Sequence, residues 1–309
     1  MNYFRKSPLK GRIGIPDFFI VGAPRCGTTA LYTYLRDHPD IFMSQIKEPD
    51  FFADYLGERR RVRTLPEYLD CFAGVQGEKR IGEASVSYLA SYTSAKVIKE
   101  FSPLASIIIM LRNPVDVMYS MYYLRRFSNL EDQPSFGAAL DADARGRKVA
   151  ELTYRDRAKF GTQAERYLTV FGREKIHFIV YDDFKIDTRK VFQNTLRFLG
   201  VCSNSKEDFP RINGNRRARS RLLWRLVRQP PVPLRKIIRP LTSRRFRSAV
   251  GSRLLQLNTI EEPRPPMEAE LRNRLRKEFA PEIHRLSTLL DRDLTSWCDE
   301  ELSPHTALI

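Results

Sequence analysis

The chain is poor in cysteine and histidine, with four of each among 309 residues. Cys26, Cys71, Cys202 and Cys298 are scattered, form no C-x-x-C pair and have no histidine close by. This argues against a zinc site and a disulfide framework, and suits a reducing compartment. Long apolar runs are missing too. No stretch approaches the roughly 18–20 residues of a membrane-spanning helix, and MNYFRKSPLKGRIG at the start has no signal-peptide h-region. The expectation is a cytoplasmic protein. Acid is absent over one long stretch: Phe209 to Ile260 holds fourteen Arg and Lys and no Asp or Glu. With a net charge of +16, the rest of the chain is close to neutral. A local field of that sign favours an anionic partner, whether nucleotide, acidic glycan, lipid surface or nucleic acid.

At this length and 42% hydrophobic, the chain can bury a large core. The stretch that organises it is Asp17 to Leu35, DFFIVGAPRCGTTALYTYL. Phe18-Phe19-Ile20-Val21 suits a buried strand, Gly22 to Gly27 a turn, and Thr28 onward a helix with Ala30, Leu31, Tyr34 and Leu35 on one face. Strand, glycine turn and helix together aim free N–H groups at an oxyanion. Against the phosphate-loop pattern G-x-x-x-x-G-K-[ST], both glycines and the final hydroxyl, Thr29, are present, but Thr28 stands where lysine belongs. The cation is Arg25, inside the turn. An ATPase reading weakens and an anion cradle of Arg25, Cys26, Gly27, Thr28 and Thr29 remains.

Further along, Ser106 to Leu111 and Ile176 to Tyr181 read as buried strands, and a strand ends near Ile81 to Ser85. Helices are expected over Ser94 to Phe101, Val115 to about Arg126, Gln163 to Phe171 and Asp187 to Leu199, the last two closed by Gly172 and Gly200. Strands alternating with helices predict an α/β fold, a phosphate-loop-like parallel sheet covered on both faces. Residues 1–16 read as a basic arm, 17–309 as one domain, 210–260 as a basic segment and 261–309 as C-terminal helices. The helical spacing of apolar and basic residues from Leu222 to Arg253 fits either a packed helix with a solvated basic face or contact with an anionic membrane.

The strand that would carry a magnesium-holding acid in a nucleotide hydrolase is followed here by Arg112. The site is therefore expected to use side-chain cations and no metal. Arg112 and Ser120, at a strand end and within the next helix, are placed to reach one phosphate. Glu48 is the best general-base candidate: it lies in a loop beside Lys47 and a proline, with Phe51 and Phe52 near to exclude water. Glu83 and His38 come next. A Lys-Glu pair in a loop is also what a solvated surface pair looks like.

VGAPRCGTTAL, KEPDFF and IIIMLRNPVDVMYSMY, in this order and spacing, resemble the sulfotransferases that use 3′-phosphoadenosine 5′-phosphosulfate (PAPS), in the branch of the heparan sulfate enzymes and their bacterial relatives. The likeness continues through FGREKI and FLG to DRDLTSW, nearly the whole chain. It implies that Arg25 to Thr29 hold the 5′-phosphosulfate, that Arg112 and Ser120 hold the 3′-phosphate, and that Glu48 is the base. It places Lys47 through Ala53, with Phe51 and Phe52, beside the acceptor. Arg216 and Arg217 lie where the family has a basic loop over the nucleotide, without its K-G-R form. Many members have lysine at the position of Arg25. An arginine there neutralises charge but does not donate a proton, its pKa exceeding about 12. The implied acceptor is a glycan or glycolipid hydroxyl, or an amine; nucleic acid is not an expected partner. A small-molecule kinase would need the missing lysine and magnesium carboxylate. A non-catalytic anion-binding protein would leave Glu48 without a purpose.

Overall fold

The computed structural model describes residues 14–146, 152–202 and 264–299, together with 208–210, 212, 227, 250 and 253 and the backbone of 216–218 and 259–261. Most of the basic 210–260 segment and the 1–13 part of the arm lie outside the described residues. Five strands, β1 (Phe18–Gly22), β2 (Ile41–Met43), β3 (Arg80–Ala84), β4 (Ser106–Leu111) and β5 (Ile176–Val180), form one parallel sheet in the order β2-β3-β1-β4-β5. Every residue of β1 and β4 is buried. That is why both read as unbroken apolar runs: strands covered on both faces have no polar side to show. Each buried isoleucine of β4 contributes about 1.5–3 kcal/mol relative to an exposed one. Gly82 of β3 faces the Phe18 ring so closely that a Cβ would lie 2.1 Å from it, so the β1–β3 contact needs glycine there.

The chain runs from β1 outward to β2, returns through β3, and then crosses β1 to reach β4. The order reverses at β1, and a parallel sheet opens a crevice at the C-terminal ends of the strands where that happens. The helices are α1 (Thr28–Arg36), α2 (Leu65–Asp70), α3 (Ser94–Phe101), α4 (Pro114–Phe127), α5 (Phe136–Ala144), α6 (Tyr154–Ala158), α7 (Phe160–Phe171), α8 (Tyr181–Ile186), α9 (Thr188–Leu199) and α10 (Ala269–Leu290). The short α8 begins at Tyr181, which the apolar run alone would assign to β5. Within the basic segment, β6 (Arg216–Ala218) and β7 (Thr259–Glu261) pair as an antiparallel ribbon. The helical spacing from Leu222 to Arg253 lies almost wholly outside the described residues.

The long α10 packs on α7 and α4. Its Glu282 accepts from the backbone N–H and the hydroxyl of Thr162, at 2.9 and 2.6 Å, which places a carboxylate at the start of α7. Among the described residues no helix is long and apolar enough to cross a membrane.

One core group ties stability to pH. His177 on β5 stacks on Phe198, with ring centroids 5.1 Å apart, and its Nε2 lies 3.2 Å from the Thr195 hydroxyl. Burial, and then the nearby Arg173, push its pKa down from 6.5 to about 4. Between those values the unfolded chain binds a proton that the folded one refuses. The contribution is thus complete above pH 6.5 and is lost as pH falls toward 4. Wild type and His177→Asn should differ in stability by up to about 3 kcal/mol less at pH 4 than at pH 7. Urea melts at the two pH values measure that difference, and a constant gap would mean that His177 takes up its proton as readily in the fold as in the unfolded chain.

Candidate active site

Two clusters stand at the C-terminal edge of the sheet. The first is built on the β1–α1 turn. Gly27 caps α1 with φ 89°, and a Cβ on it would lie 3.2 Å from the Phe184 ring, so both backbone and space call for glycine. Thr28 and Thr29 open the helix, where N–H groups have no carbonyl one turn back to reach. No acidic residue occupies the first turn, so the positive helix end is not neutralised there. Cys26 is 0% exposed, its S–H donates to the Pro24 carbonyl at 3.4 Å, and burial pushes the thiol up to about 12. Its buried side chain braces the turn from within.

Arg25 adopts a left-handed φ of 65°, a conformation that costs a non-glycine residue roughly 1–3 kcal/mol unless its surroundings enforce it. Here its Nε donates to Ser120 Oγ at 2.7 Å. Ser120 is 1% exposed on α4, a helix started by Pro114 and by the Asn113 side chain, which accepts from Val115 N–H at 3.0 Å. Arg112, one residue past β4, lies 4.9 Å from the Tyr181 ring centroid and pairs with Asp116 at 3.5 Å. Asp116 also accepts from Arg272 of α10 at 3.1 Å. The sequence pairs Ser120 with Arg112 by spacing; in the structure the Ser120 hydroxyl is bonded to Arg25.

A third guanidinium joins them. Burial, and then the charges of Arg25 and Arg112, push Arg264 down to about 10. Arg25 is lowered by burial and by Arg112 as well. Like charges held together in a partly dry cleft repel, and a bound polyanion relieves that repulsion. Arg25, Arg112 and Arg264 thus make a strongly positive cluster at this edge of the sheet. The strand β6, which carries Arg216 and Arg217, packs against α4; the side chains of Arg216 and Arg217 lie outside the described residues.

The second cluster is the loop after β2. Glu48 and Asp50 both take left-handed φ, 60° and 58°, on either side of Pro49. Glu48 N–H donates to Ala84 O at the end of β3 at 2.9 Å, and Val62 N–H to Pro49 O at 3.0 Å. Ala84 is in register with Ile20 of β1, so this loop, which leaves β2 and is bonded to the end of β3, stands at the same edge of the sheet as the Arg25 turn. Lys47 Nζ lies 2.5 Å from Glu48 Oε1, and the side chains are 18% and 32% exposed. The pair is thus partly withdrawn from water.

Phe51 and Phe52, expected beside an acceptor, turn inward instead. They are 7% and 3% exposed. Phe51 stacks on Tyr68 at 4.6 Å, and Phe52 packs on Phe19, Tyr88 and Phe101. Both rings anchor the loop to the core, because two large apolar side chains gain more there than at a wet rim. His38 is excluded as a base by its place before β2, at the opposite edge of the sheet, with its ring nitrogens against Cys202 O and Asp40 N–H.

Two nearby groups had weak signals in the sequence. Arg264, in Pro263-Arg264-Pro265-Pro266, is one arginine among many, and only the fold brings it to Arg25. Asp50 belongs to the KEPDFF run itself. Burial first, and then Glu48, push its carboxyl up to about 6, against a hydrogen bond from Ser87 that lowers it.

Comparison with known proteins agrees with this architecture. Residues 15–214 match the sulfotransferase domain family. A solved sulfotransferase from Alicyclobacillus acidocaldarius is 30% identical and superposes with a TM-score of 0.71, over 93% of this chain and 100% of that one. Human carbohydrate sulfotransferase 15 is 32% identical over 160 residues, 37% of this chain and 28% of that protein. The Drosophila melanogaster bifunctional heparan sulfate N-deacetylase/N-sulfotransferase is 26% identical over 215 residues, 63% of this chain and 20% of that protein. The chain thus spans less than a third of the length of these curated relatives. A parallel sheet with an arginine inside its first turn, and a family match over 15–214, place this chain in the sulfotransferase family.

Proposed function

We propose that the protein transfers the sulfuryl group of PAPS to a hydroxyl or amine on a carbohydrate or glycolipid. The observation that carries the reading is Arg25, held in left-handed backbone in the turn before α1 and bonded to Ser120 of α4, with Arg112 just past the neighbouring strand β4. The donor set fits a group with two separated phosphates. The 5′ side would lie on the N–H groups of Gly27 to Thr29 and on Arg25, and the 3′-phosphate on Arg112 and Ser120, with Arg264 adding to the positive field. When bound, PAPS supplies the activated sulfur. Around it Arg25 and the backbone donors hold charge on the bridging and sulfuryl oxygens. Glu48 takes the acceptor proton as the acceptor oxygen or nitrogen bonds to sulfur and the bond from sulfur to the bridging oxygen breaks. Lys47 orients the Glu48 carboxylate. Similarity to a carbohydrate sulfotransferase and to a heparan sulfate N-sulfotransferase supports a glycan acceptor.

Calorimetry with adenosine 3′,5′-bisphosphate tests the nucleotide half. Arg112→Ala should weaken binding roughly ten- to a hundredfold, the loss of one charge-assisted contact. The fold should survive, since Asp116 keeps Arg272 as a partner. Wild type should also prefer the bisphosphate to the 5′-monophosphate. Equal affinity of the variant, or no preference in wild type, removes Arg112 from the 3′-phosphate. Transfer from labelled PAPS to a panel of glycans and glycolipids tests the acceptor half.

A further inference from the structure

Glu83, the fourth residue of β3, is 0% exposed. A carboxylate sealed in a core needs strong partners, and it has three hydroxyl donors. Ser85 donates to Oε1 at 2.6 Å; Tyr68 and Tyr88 donate to Oε2 at 2.6 and 3.2 Å. Those O–H groups spend their hydrogens on the acid, so the oxygen lone pairs of Ser85 and Tyr88 face away from it. There they accept the N–H groups of Asp50 at 3.1 Å and of Phe52 at 3.3 Å. Together with Glu48 N–H on Ala84 O, alternate residues 48, 50 and 52 hang from the end of β3 and the turn beyond it. The loop is thus tied to the edge of β3 through one carbonyl and two hydroxyls.

A buried acid is a poor way to gain stability, because apolar side chains of the same volume often do as well. Orienting hydroxyls is something an apolar side chain does not do. Burial pushes the Glu83 carboxyl up to about 7 even with three hydroxyls pulling it down, so the arrangement carries a desolvation cost. Glu48 and Asp50 are meanwhile held in left-handed backbone, a conformation that persists only where neighbours over-determine it.

We propose that Glu83 is a positioning residue: its carboxylate aims the Ser85 and Tyr88 hydroxyls that hold the loop presenting Glu48. The functional part of this rests on the reading of Glu48 as the base; the structural part does not.

Glu83→Gln replaces one acceptor oxygen by an N–H donor at nearly constant volume, so at least one hydroxyl must turn. Amide hydrogen exchange and single-turnover transfer are read at about pH 8.5, where a carboxyl raised to about 7 is ionised. Exchange at Asp50 and Phe52 should speed up at least about tenfold, as for loss of one buried hydrogen bond, with the Arg25 to Thr29 amides unchanged. Transfer should fall at least about tenfold while bisphosphate affinity stays within about twofold, a split that general loss of stability does not produce. Ser85→Ala should act in the same direction, and the double variant should be no slower than the slower single one. Unchanged loop exchange, losses that multiply in the double variant, or a parallel loss of nucleotide affinity would overturn the proposal. If Glu83→Gln does not fold, Ser85→Ala carries the exchange test alone, and unchanged exchange in it overturns the proposal equally. Faster loop exchange in a protein that transfers no sulfuryl group supports the positioning and sinks the functional reading. A slow Glu48→Gln beside a full-rate Glu83→Gln does the reverse.

Discussion

Glu48→Gln is expected to slow single-turnover sulfuryl transfer roughly 10²–10⁴-fold, the range for a positioned general base, with nucleotide affinity unchanged. Glutamine keeps the size of the side chain and one acceptor oxygen. The backbone of the loop is held by Ala84, Ser85 and Tyr88, not by the Glu48 carboxylate. A loss would therefore report proton transfer and not collapse of the loop. The competing account makes Lys47 and Glu48 an ordinary ion pair, worth about 0.2–1 kcal/mol at a surface and of little consequence for rate. A drop of less than about threefold, far below the general-base range, would transfer the role. Asp50 is then the next candidate, since it shares the loop and its carboxyl is raised to about 6. Glu83 is sealed from any acceptor, and His38 stands at the wrong edge of the sheet.

Arg25→Ala should lower the same step about 10²–10³-fold, comparable to removing one donor from an oxyanion site. It should weaken the bisphosphate as well, if the guanidinium meets the nucleotide before and during transfer as proposed. Arg25→Lys separates charge from geometry. Lysine keeps the cation but lacks the Nε–H that reaches Ser120 at 2.7 Å. If charge is what matters, the lysine variant should retain most of the rate, within about tenfold, while alanine does not. Presteady-state transfer with the three forms decides it. Equal, deep losses in both variants would mean that the bond to Ser120, and with it the shape of the turn, matters more than the charge.

Some of this was legible without coordinates because it is local. The apolar runs of β1 and β4 announce strands covered on both faces. Gly22 and Gly27 mark a turn that only glycine permits, and Asp187 and Gly200 mark the two ends of α9. Arg25 stands out as the cation of a turn in which Thr28 takes the place of the phosphate-loop lysine, and Arg112 because it follows the strand that would carry a magnesium-holding acid. Glu48 shows through its place in KEPDFF. The ribbon of 216–218 with 259–261 was not legible, since its two strands are short and distant in sequence.

The sequence by itself determined the strand–turn–helix unit, the parallel sheet and the identity of the cations nearest the turn, because backbone propensity and hydrophobic period act over a few residues. Only the tertiary structure decided which distant groups meet. It turned Phe51 and Phe52 into the core, gave Ser120 to Arg25, brought Arg264 to the same charge cluster, and set Glu83 beneath the loop of Glu48. Burial and Coulomb interaction depend on distance in space, and a linear order of residues does not contain that distance.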